Sequence, residues 1–415
     1  MTAGSSLKTR AYRSWFIADS GTSAGYSLRV FALPLVAFSV TQDVSIAGWI
    51  TAISSIVYTV MSIFGGTVVD RHNRRKLMLT FAGASSIIWS VVIVLLLNHH
   101  LDGWTLLAAA VIHMLISGVT SSSGHAYLRS IISADDYPKA RSETEGRDAA
   151  ISMVSGPVGG VLYAIAQWLP FLASVISYVF AFVATLFIPG REQEDIRAKQ
   201  ARSTGSTAMR DFIDGWKWTL SKRTLVRAML AFALMDLGFV GIDEAAQLHL
   251  VSSGVSSQRI GYINAAWGIA MVIGAFISTK LSHKLHAGIT CIAVMAMMAV
   301  IHVPLIFTDN YFVIMIMFAI SCLPWPLFNA LIMGFIYAKT PQNLQGRVTT
   351  VVSLPSMALS SLAPGIAGIL LKAISWNICI AVFYAFMVVS LFVYIFSPEL
   401  RSMPRSSQWE STEMR

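Results

Sequence analysis

Asp19, Arg29, Asp236 and Asp243 stand inside stretches that are otherwise almost pure hydrocarbon. Ionised groups in such surroundings are costly unless they are paired or hydrated. A low dielectric also disfavours the charged form of a carboxylate, so these residue types suit the exchange of a proton for a polar or cationic ligand. Arg29 and Asp236 lie 207 positions apart and are expected to pair, or to compete for protons and ligand. Asp19 precedes Arg29 by ten positions, about 15 Å along a helix axis, too far for direct pairing. Gly21, Ser23 and Gly25 fall between them and permit local unwinding. Asp236 and Asp243, seven residues apart, share a helix face and outline a carboxylate route; Glu244 beside them is expected to meet solvent.

A second constellation runs through residues 66–76, GTVVDRHNRRK. Gly66 allows another helix to approach closely. Asp70, one turn on, suits the positive end of a neighbouring helix, and Arg71 and Arg74 suit carboxylates or carbonyls. Arg75 and Lys76 read as topology anchors, and Asn73 as a residue that tolerates left-handed geometry. Gly156-Pro157-Val158-Gly159-Gly160 combines a kinking proline with glycines that admit a close neighbour. His113, Ser117 and Thr120 form a polar stripe. Trp325, Phe328 and Asn329 form an aromatic one broken by Pro324 and Pro326. The two stripes together suit a cavity for amphipathic organic molecules, although His113 and His302 singly read as histidines satisfied within their helices.

The elements that position these residues follow from composition. Of 415 residues, 55% are hydrophobic and 12% charged, against about 25% charged in soluble domains. About twelve windows of spanning length lie near 13–40, 47–66, 76–97, 104–130, 143–166, 168–189, 224–250, 259–281, 286–307, 311–338, 347–371 and 375–397. They are too long and too uniformly apolar for barrel strands. The expected class is an all-α membrane protein. The net charge of +9 sits mainly in alternate connections, with Arg259 and Lys372 on the opposite side. Both termini are therefore expected on the cytoplasmic side. Nucleic acid is excluded as a partner for want of a basic-aromatic module. Cys291, Cys322 and Cys379 are widely spaced within spans and read as packing residues. Phosphate loops, nucleophile elbows and zinc spacings are missing, so an enzyme is not expected, nor a cofactor.

The chain divides into 1–189, a polar interruption at 190–222, a second apolar half at 223–397 and a tail at 398–415. Phe212, Ile213 and Trp216 recur at helical spacing and predict an interfacial helix. Arg141 leads into Gly156-Pro157 much as Arg347 leads into Ala363-Pro364-Gly365, and Gly66 matches Gly274. Such a register suggests a duplicated six-helix unit.

These features together resemble the major facilitator superfamily. Ala32-Leu33-Pro34-Leu35, Gly215-Trp216-Lys217-Trp218 and Gln345-Gly346-Arg347-Val348 add to the likeness, which covers nearly the whole chain. It is most similar to the drug:proton antiporter branch that includes macrolide efflux pumps and the enterobactin exporter. The resemblance implies two pseudo-symmetric six-helix bundles and a contact of Asp70 with the eleventh span. It also implies a seam of Gly156, Pro157 and Gly160 against the eighth span. The family usually has glycine where this chain has Asn73, and one residue more between the proline and glycine pair of the fifth span. The implied function is secondary active transport, namely proton-coupled efflux of an amphipathic drug, antibiotic or siderophore by alternating access. The setting would be a bacterial inner membrane, with lipid and a small substrate as partners and a monomeric state. An importer or lysophospholipid flippase on the same fold, or a receptor without turnover, are the alternatives.

Overall fold

The structure is a computed structural model that describes residues 7, 9–133, 136–189, 207–341 and 345–409. Its side-chain description leaves out Pro138, 207–212, Asp214, 345–347, Thr349 and Ser407. The described residues are overwhelmingly helical, and 12 helices are long and apolar enough to cross a membrane. In chain order these spans are Arg10–Thr41, Val44–Arg71, Arg74–Leu97, Gly103–Ile131, Lys139–Ile165, Leu169–Leu186, Arg223–Ser252, Ser257–Leu281, Ala287–Ile306, Tyr311–Lys339, Thr350–Ala373 and Trp376–Ile395. They are numbered 1 to 12 below. The chain forms two compact units: Met1–Gly205 with Val255–Tyr262, and Ser206–Gly254 with Ile263–Arg415.

In the first unit, span 1 is the central post. Thr9 caps its start by accepting from Tyr12 N at 3.2 Å, one of the donors a helix end otherwise leaves orphaned. Gln42, at φ 52°, closes it in left-handed geometry. The helix is continuous through Gly21, Ser23 and Gly25, so the unwinding expected there does not occur. The glycines serve packing instead. A Cβ on Gly21 would lie 2.8 Å from the Ser177 carbonyl, and one on Gly25 would lie 2.9 Å from the Tyr178 ring. Span 6 can therefore press on the backbone of span 1, the small-residue mode of helix association in lipid. Ser174 Oγ donates to the Gly25 carbonyl across the same contact.

The second unit repeats this arrangement. Span 7 packs on span 12 through Gly238 and Gly241, against Met387 and Phe383. Ser390 Oγ donates to the Ala231 carbonyl. Serine-to-carbonyl bonds from span 6 to span 1, and from span 12 to span 7, are what a duplicated unit produces.

Spans 4 and 10 are each broken in two, at 121–122 and 323–324. Pro324 at the start of the second segment explains the latter, since it cannot donate to the preceding turn. Span 11 breaks before Pro364. Span 5 starts earlier than its apolar content suggests, in a helix Tyr137–Ile165 with proline in its first turn, where a missing N–H costs nothing.

The segment 190–206 lies outside the described residues. The helix Thr207–Leu220 follows, with Ile213 exposed and Gly215 and Thr219 buried. Phe212 lies outside the described side chains. The tail folds back onto the second unit: Ala287 N and Gly288 N donate to the Pro404 and Met403 carbonyls at 3.4 and 3.1 Å. Trp409 sits edge-on to Phe335 at 6.0 Å.

Candidate functional site

A cavity of about 410 Å³ opens inside the first unit. Its walls come from the end of the bundle that carries the 66–76 loop: Asp19, Ser23 and Tyr26 of span 1, Tyr58 of span 2, and Phe81 of span 3. Ser117, Thr120 and His125 of span 4 and Arg147 and Asp148 of span 5 complete it. Tyr26, Tyr58, Met78 and Phe81 give apolar surface beside the hydroxyls and charges, a lining that accepts a molecule with both apolar and polar faces.

Arg147 organises the charges. Its Nη2 donates to Asp19 Oδ2 at 2.6 Å and to Asp148 Oδ1 at 2.8 Å. Nη1 reaches Ser20 Oγ at 3.2 Å, and the guanidinium lies 5.1 Å from the Phe16 ring centroid. Asp148 also accepts from Ser23 Oγ at 2.7 Å. Two carboxylates thus share one cation, an arrangement in which a proton on either carboxylate releases part of the guanidinium. The break in span 4 makes room for it. A Cβ on Gly124 would lie 3.0 Å from Asp19 Oδ1, and Trp15 Nε1 pins the Gly124 carbonyl at 3.0 Å.

Arg147 and Asp148 fall within the fifth window, 143–166, but in its polar first turns, where hydropathy gives no sign that they face a cavity. The proline at 138 marks a helix start six residues before that window, as proline in a first turn does, and so puts both charges well inside the helix.

The other candidate residues are distributed as follows. Ser117 and Thr120 line the cavity. His113 does not, being fully buried between Phe81, Trp89 and Tyr178 with ring centroids 5.6 to 6.0 Å away. Arg29 is 1% exposed, and its guanidinium lies 5.0 Å from the Tyr26 ring and 5.8 Å from that of Trp89. Among the described residues of its unit, no carboxylate lies within ion-pairing distance of it. Asp236, in the second unit, accepts from Ser356 Oγ at 2.6 Å. Asp243 is half-buried. Glu244 Oε2 is buried without a hydrogen bond, against the solvent contact expected for it.

Trp325 stacks on Phe239 with centroids 5.4 Å apart and planes at 11°. Phe328 is completely buried beneath Phe232, whereas Asn329 is exposed. His302 Nδ1 meets its own helix at the Met298 carbonyl, 2.7 Å away.

In the 66–76 stretch the close approach falls on Gly65. A Cβ there would lie 2.6 Å from the Gly118 carbonyl, while Gly66 has nothing within 4 Å. The spacing alone could not distinguish adjacent glycines, because the choice depends on which way the helix faces. Asp70 is exposed and borders a second cavity with Arg74, His125 and Arg129. The start of span 11 expected beside Asp70 includes Arg347, which lies outside the described side chains. Arg74 donates to the Ala126 carbonyl at 2.8 Å. Arg71 is half-buried at the end of span 2. Arg75 is more than a topology anchor: it bonds the Thr185 and Leu186 carbonyls, at 3.2 and 2.8 Å, where span 6 ends. Asn73 has φ −65° and caps span 3 through Lys76 N, so it supplies a cap and not a left-handed turn.

Gly156, Pro157 and Gly160 form a seam with the first turns of span 8, within the first unit. Ser257 Oγ donates to the Gly160 carbonyl at 2.8 Å. A Cβ on Gly160 would meet the Ser257 carbonyl, and one on Gly261 the Gly156 carbonyl. The three cysteines are buried and free, and no metal-binding group of His, Cys, Asp or Glu occurs among the described residues.

Comparison with known proteins agrees with this architecture. The profile described as Major Facilitator Superfamily matches residues 16–364. The uncharacterised MFS-type transporter YceJ of Bacillus subtilis (strain 168) is 23% identical over 355 residues, covering 82% of this chain and 84% of its own. The tetracycline resistance protein, class C, of Escherichia coli is 24% identical over 351 residues, covering 81% and 84%. Among solved structures, a bacterial homologue of the iron transporter ferroportin aligns with a TM-score of 0.70 at 14% identity, covering 96% and 98%. A D-xylose–proton symporter gives 0.70 at 14% identity, covering 94% and 98%. Two six-span units with repeated internal packing, a polar cavity and a profile match over most of the length lead to one conclusion: the chain belongs to the major facilitator superfamily of membrane transporters.

Proposed function

We propose that this transporter exports an amphipathic small molecule across a bacterial cytoplasmic membrane in exchange for protons. The observation that carries the reading is the Asp19–Arg147–Asp148 set on the wall of the first unit's cavity. Tyr26, Tyr58 and Phe81 supply apolar surface for the cargo, and the hydroxyls of Ser117 and Thr120 supply orientation. A proton bound at Asp19 or Asp148 weakens the hold on Arg147 and alters the charge the cargo meets. Proton and cargo thereby compete for one site, which is the condition for exchange. The cation-rich 66–76 loop and the span 4–5 connection favour a cytoplasmic position for this end of the bundle, where an exported compound would be collected.

In this reading Gly156, Pro157 and Gly160 form a seam that closes in one state, and Asp70, Arg71 and Arg74 close the cytoplasmic end. Arg29, Asp236 and Asp243 act in coupling, and the working unit is a monomer. The relative named for tetracycline resistance favours export, whereas the fold is shared with a sugar–proton symporter, so direction is part of the proposal. Transport in proteoliposomes under an imposed pH gradient tests it, with a panel of amphipathic compounds. Efflux driven by the gradient, lost in Asp148→Asn and Asp236→Asn, supports the reading. Gradient-independent flux in the wild type, or inward accumulation of the cargo, sinks it.

A further inference from the structure

Beyond the cavity, the core of the first unit holds a set of polar groups short of hydrogen-bond partners. Arg29 Nε, Ser85 Oγ, Trp89 Nε1, Tyr178 Oη and both nitrogens of His113 are buried without a hydrogen bond. All five side chains are at most 1% exposed. They converge: the His113 ring is 5.6 Å from that of Trp89 and 6.0 Å from that of Tyr178, and the Arg29 guanidinium is 5.8 Å from Trp89. Ser85 lies one turn before Trp89 on span 3. Arg29 is close enough for its charge to bear on His113 and for its guanidinium to lean on the Tyr178 hydroxyl.

Native interiors pair nearly all of their buried polar groups, and a buried cation without a counter-charge is the costlier defect. The character of these groups matters most. Guanidinium and indole N–H groups only donate, and the hydroxyls and imidazole each have a donor as well. A cluster with surplus donors and one fixed positive charge is complementary to an anion. Its position suits a cargo: the Tyr26 ring, 5.0 Å from Arg29, and Phe81, 5.7 Å from His113, both line the cavity. One layer of rings separates the donors from it.

We infer that Arg29, with Trp89, Tyr178, Ser85 and His113, forms a subsite for an anionic group, a carboxylate or an enolate, of an aromatic or apolar cargo. The inference rests on the transport reading only in treating that anion as part of the cargo. Binding to the purified full-length protein tests it, using sodium benzoate and its neutral isostere benzamide, with no gradient imposed. The wild type is expected to bind benzoate at least about tenfold more tightly than benzamide, about 1.4 kcal/mol. Arg29→Gln should abolish that preference, and Arg29→Lys should retain its sign with weaker binding.

Should Arg29→Gln fail to fold, Trp89→Phe removes one donor and should weaken benzoate several-fold. Equal binding of the two probes by the wild type overturns the subsite, as does a preference that survives in Arg29→Gln or is unchanged in Trp89→Phe. Flux under a pH gradient is read separately, so a failed subsite with intact transport, or the reverse, is distinguishable.

Discussion

Arg147 Nη2 donates to Asp19 Oδ2 over 2.6 Å, joining span 5 to span 1 at the wall of the cavity. The two side chains are 11% and 20% exposed, so water screens the pair only in part. Removing Arg147 leaves Asp19 and Asp148 without their cation, which costs about 3 kcal/mol, whereas removing Asp19 leaves Arg147 paired with Asp148 and costs less. Arg147→Gln and Asp19→Asn should each lower the unfolding temperature, and the double variant should cost less than their sum. A double-mutant cycle by thermal unfolding measures this coupling; strict additivity would contradict the pairing.

Gly65 and Gly66 give opposite outcomes. A methyl on Gly65 meets the Gly118 carbonyl at 2.6 Å, and backbone does not yield readily. Gly65→Ala should destabilise the protein by about 1–3 kcal/mol. Gly66→Ala places its methyl in open space and should be neutral, or stabilising by up to about 1 kcal/mol through helix propensity. Denaturation of the two variants side by side decides between them.

At the seam with span 8, Gly160→Val forces branched carbon against the Ser257 carbonyl. The expected result is separation of these helices and a loss of about 1–3 kcal/mol. Cysteine cross-linking between positions 161 and 258, compared with and without the valine, reports the change. Unaltered cross-linking would show that the helices do not press together there.

Arg75 holds the last carbonyls of span 6, where the helix dipole is negative. Arg75→Gln should cost about 1.5–3 kcal/mol, the worth of hydrogen bonds from a charged donor. The amides near Leu186 should then exchange faster with deuterium while span 3 stays protected. Uniform exchange across the bundle would contradict a local cap.

Glu399 is held below the ordinary carboxylate range by a hydrogen bond from its own main-chain N–H and then by the Arg227 guanidinium. A depressed folded value means that its stabilisation is present above the unfolded pKa of about 4.3. It is lost as the pH falls through the folded value. The Arg227–Glu399 pair is partly exposed, so the contribution is at most about 1 kcal/mol. Glu399→Gln should therefore unfold earlier than the wild type at neutral pH, with the difference vanishing in acid. A difference that grows on acidification would reverse the sign of this linkage.

Much of the fold was legible without coordinates because lipid imposes a simple rule: a backbone without water must close its hydrogen bonds within a helix. Twelve apolar windows, the polar interruption near 190–222 and the repeat of proline-containing spans follow from that rule. Asp19, Ser117 and Thr120 were legible as candidates because polar groups stand out against hydrocarbon. Arg147 and Asp148 were not, since they lie in the polar first turns of the fifth window, where nothing in the hydropathy says that they face a cavity. Nor could spacing tell Gly65 from Gly66, or foresee that Gly21 and Gly25 receive span 6 instead of unwinding. Those distinctions depend on helix rotation, which a neighbouring surface determines.

From its amino-acid order alone this protein is a polytopic helical membrane protein built as a duplicated six-span unit, with its cations gathered in alternate connections. Hydropathy and charge decide that much because they act on each segment independently. Only the tertiary structure brings Asp19 and Asp148 to one arginine, closes Arg29 and His113 into a core where the Arg29 Nε and both His113 nitrogens make no hydrogen bond and presses Gly65 on Gly118. These outcomes depend on which helix faces meet, and packed side chains from distant parts of the chain settle that together.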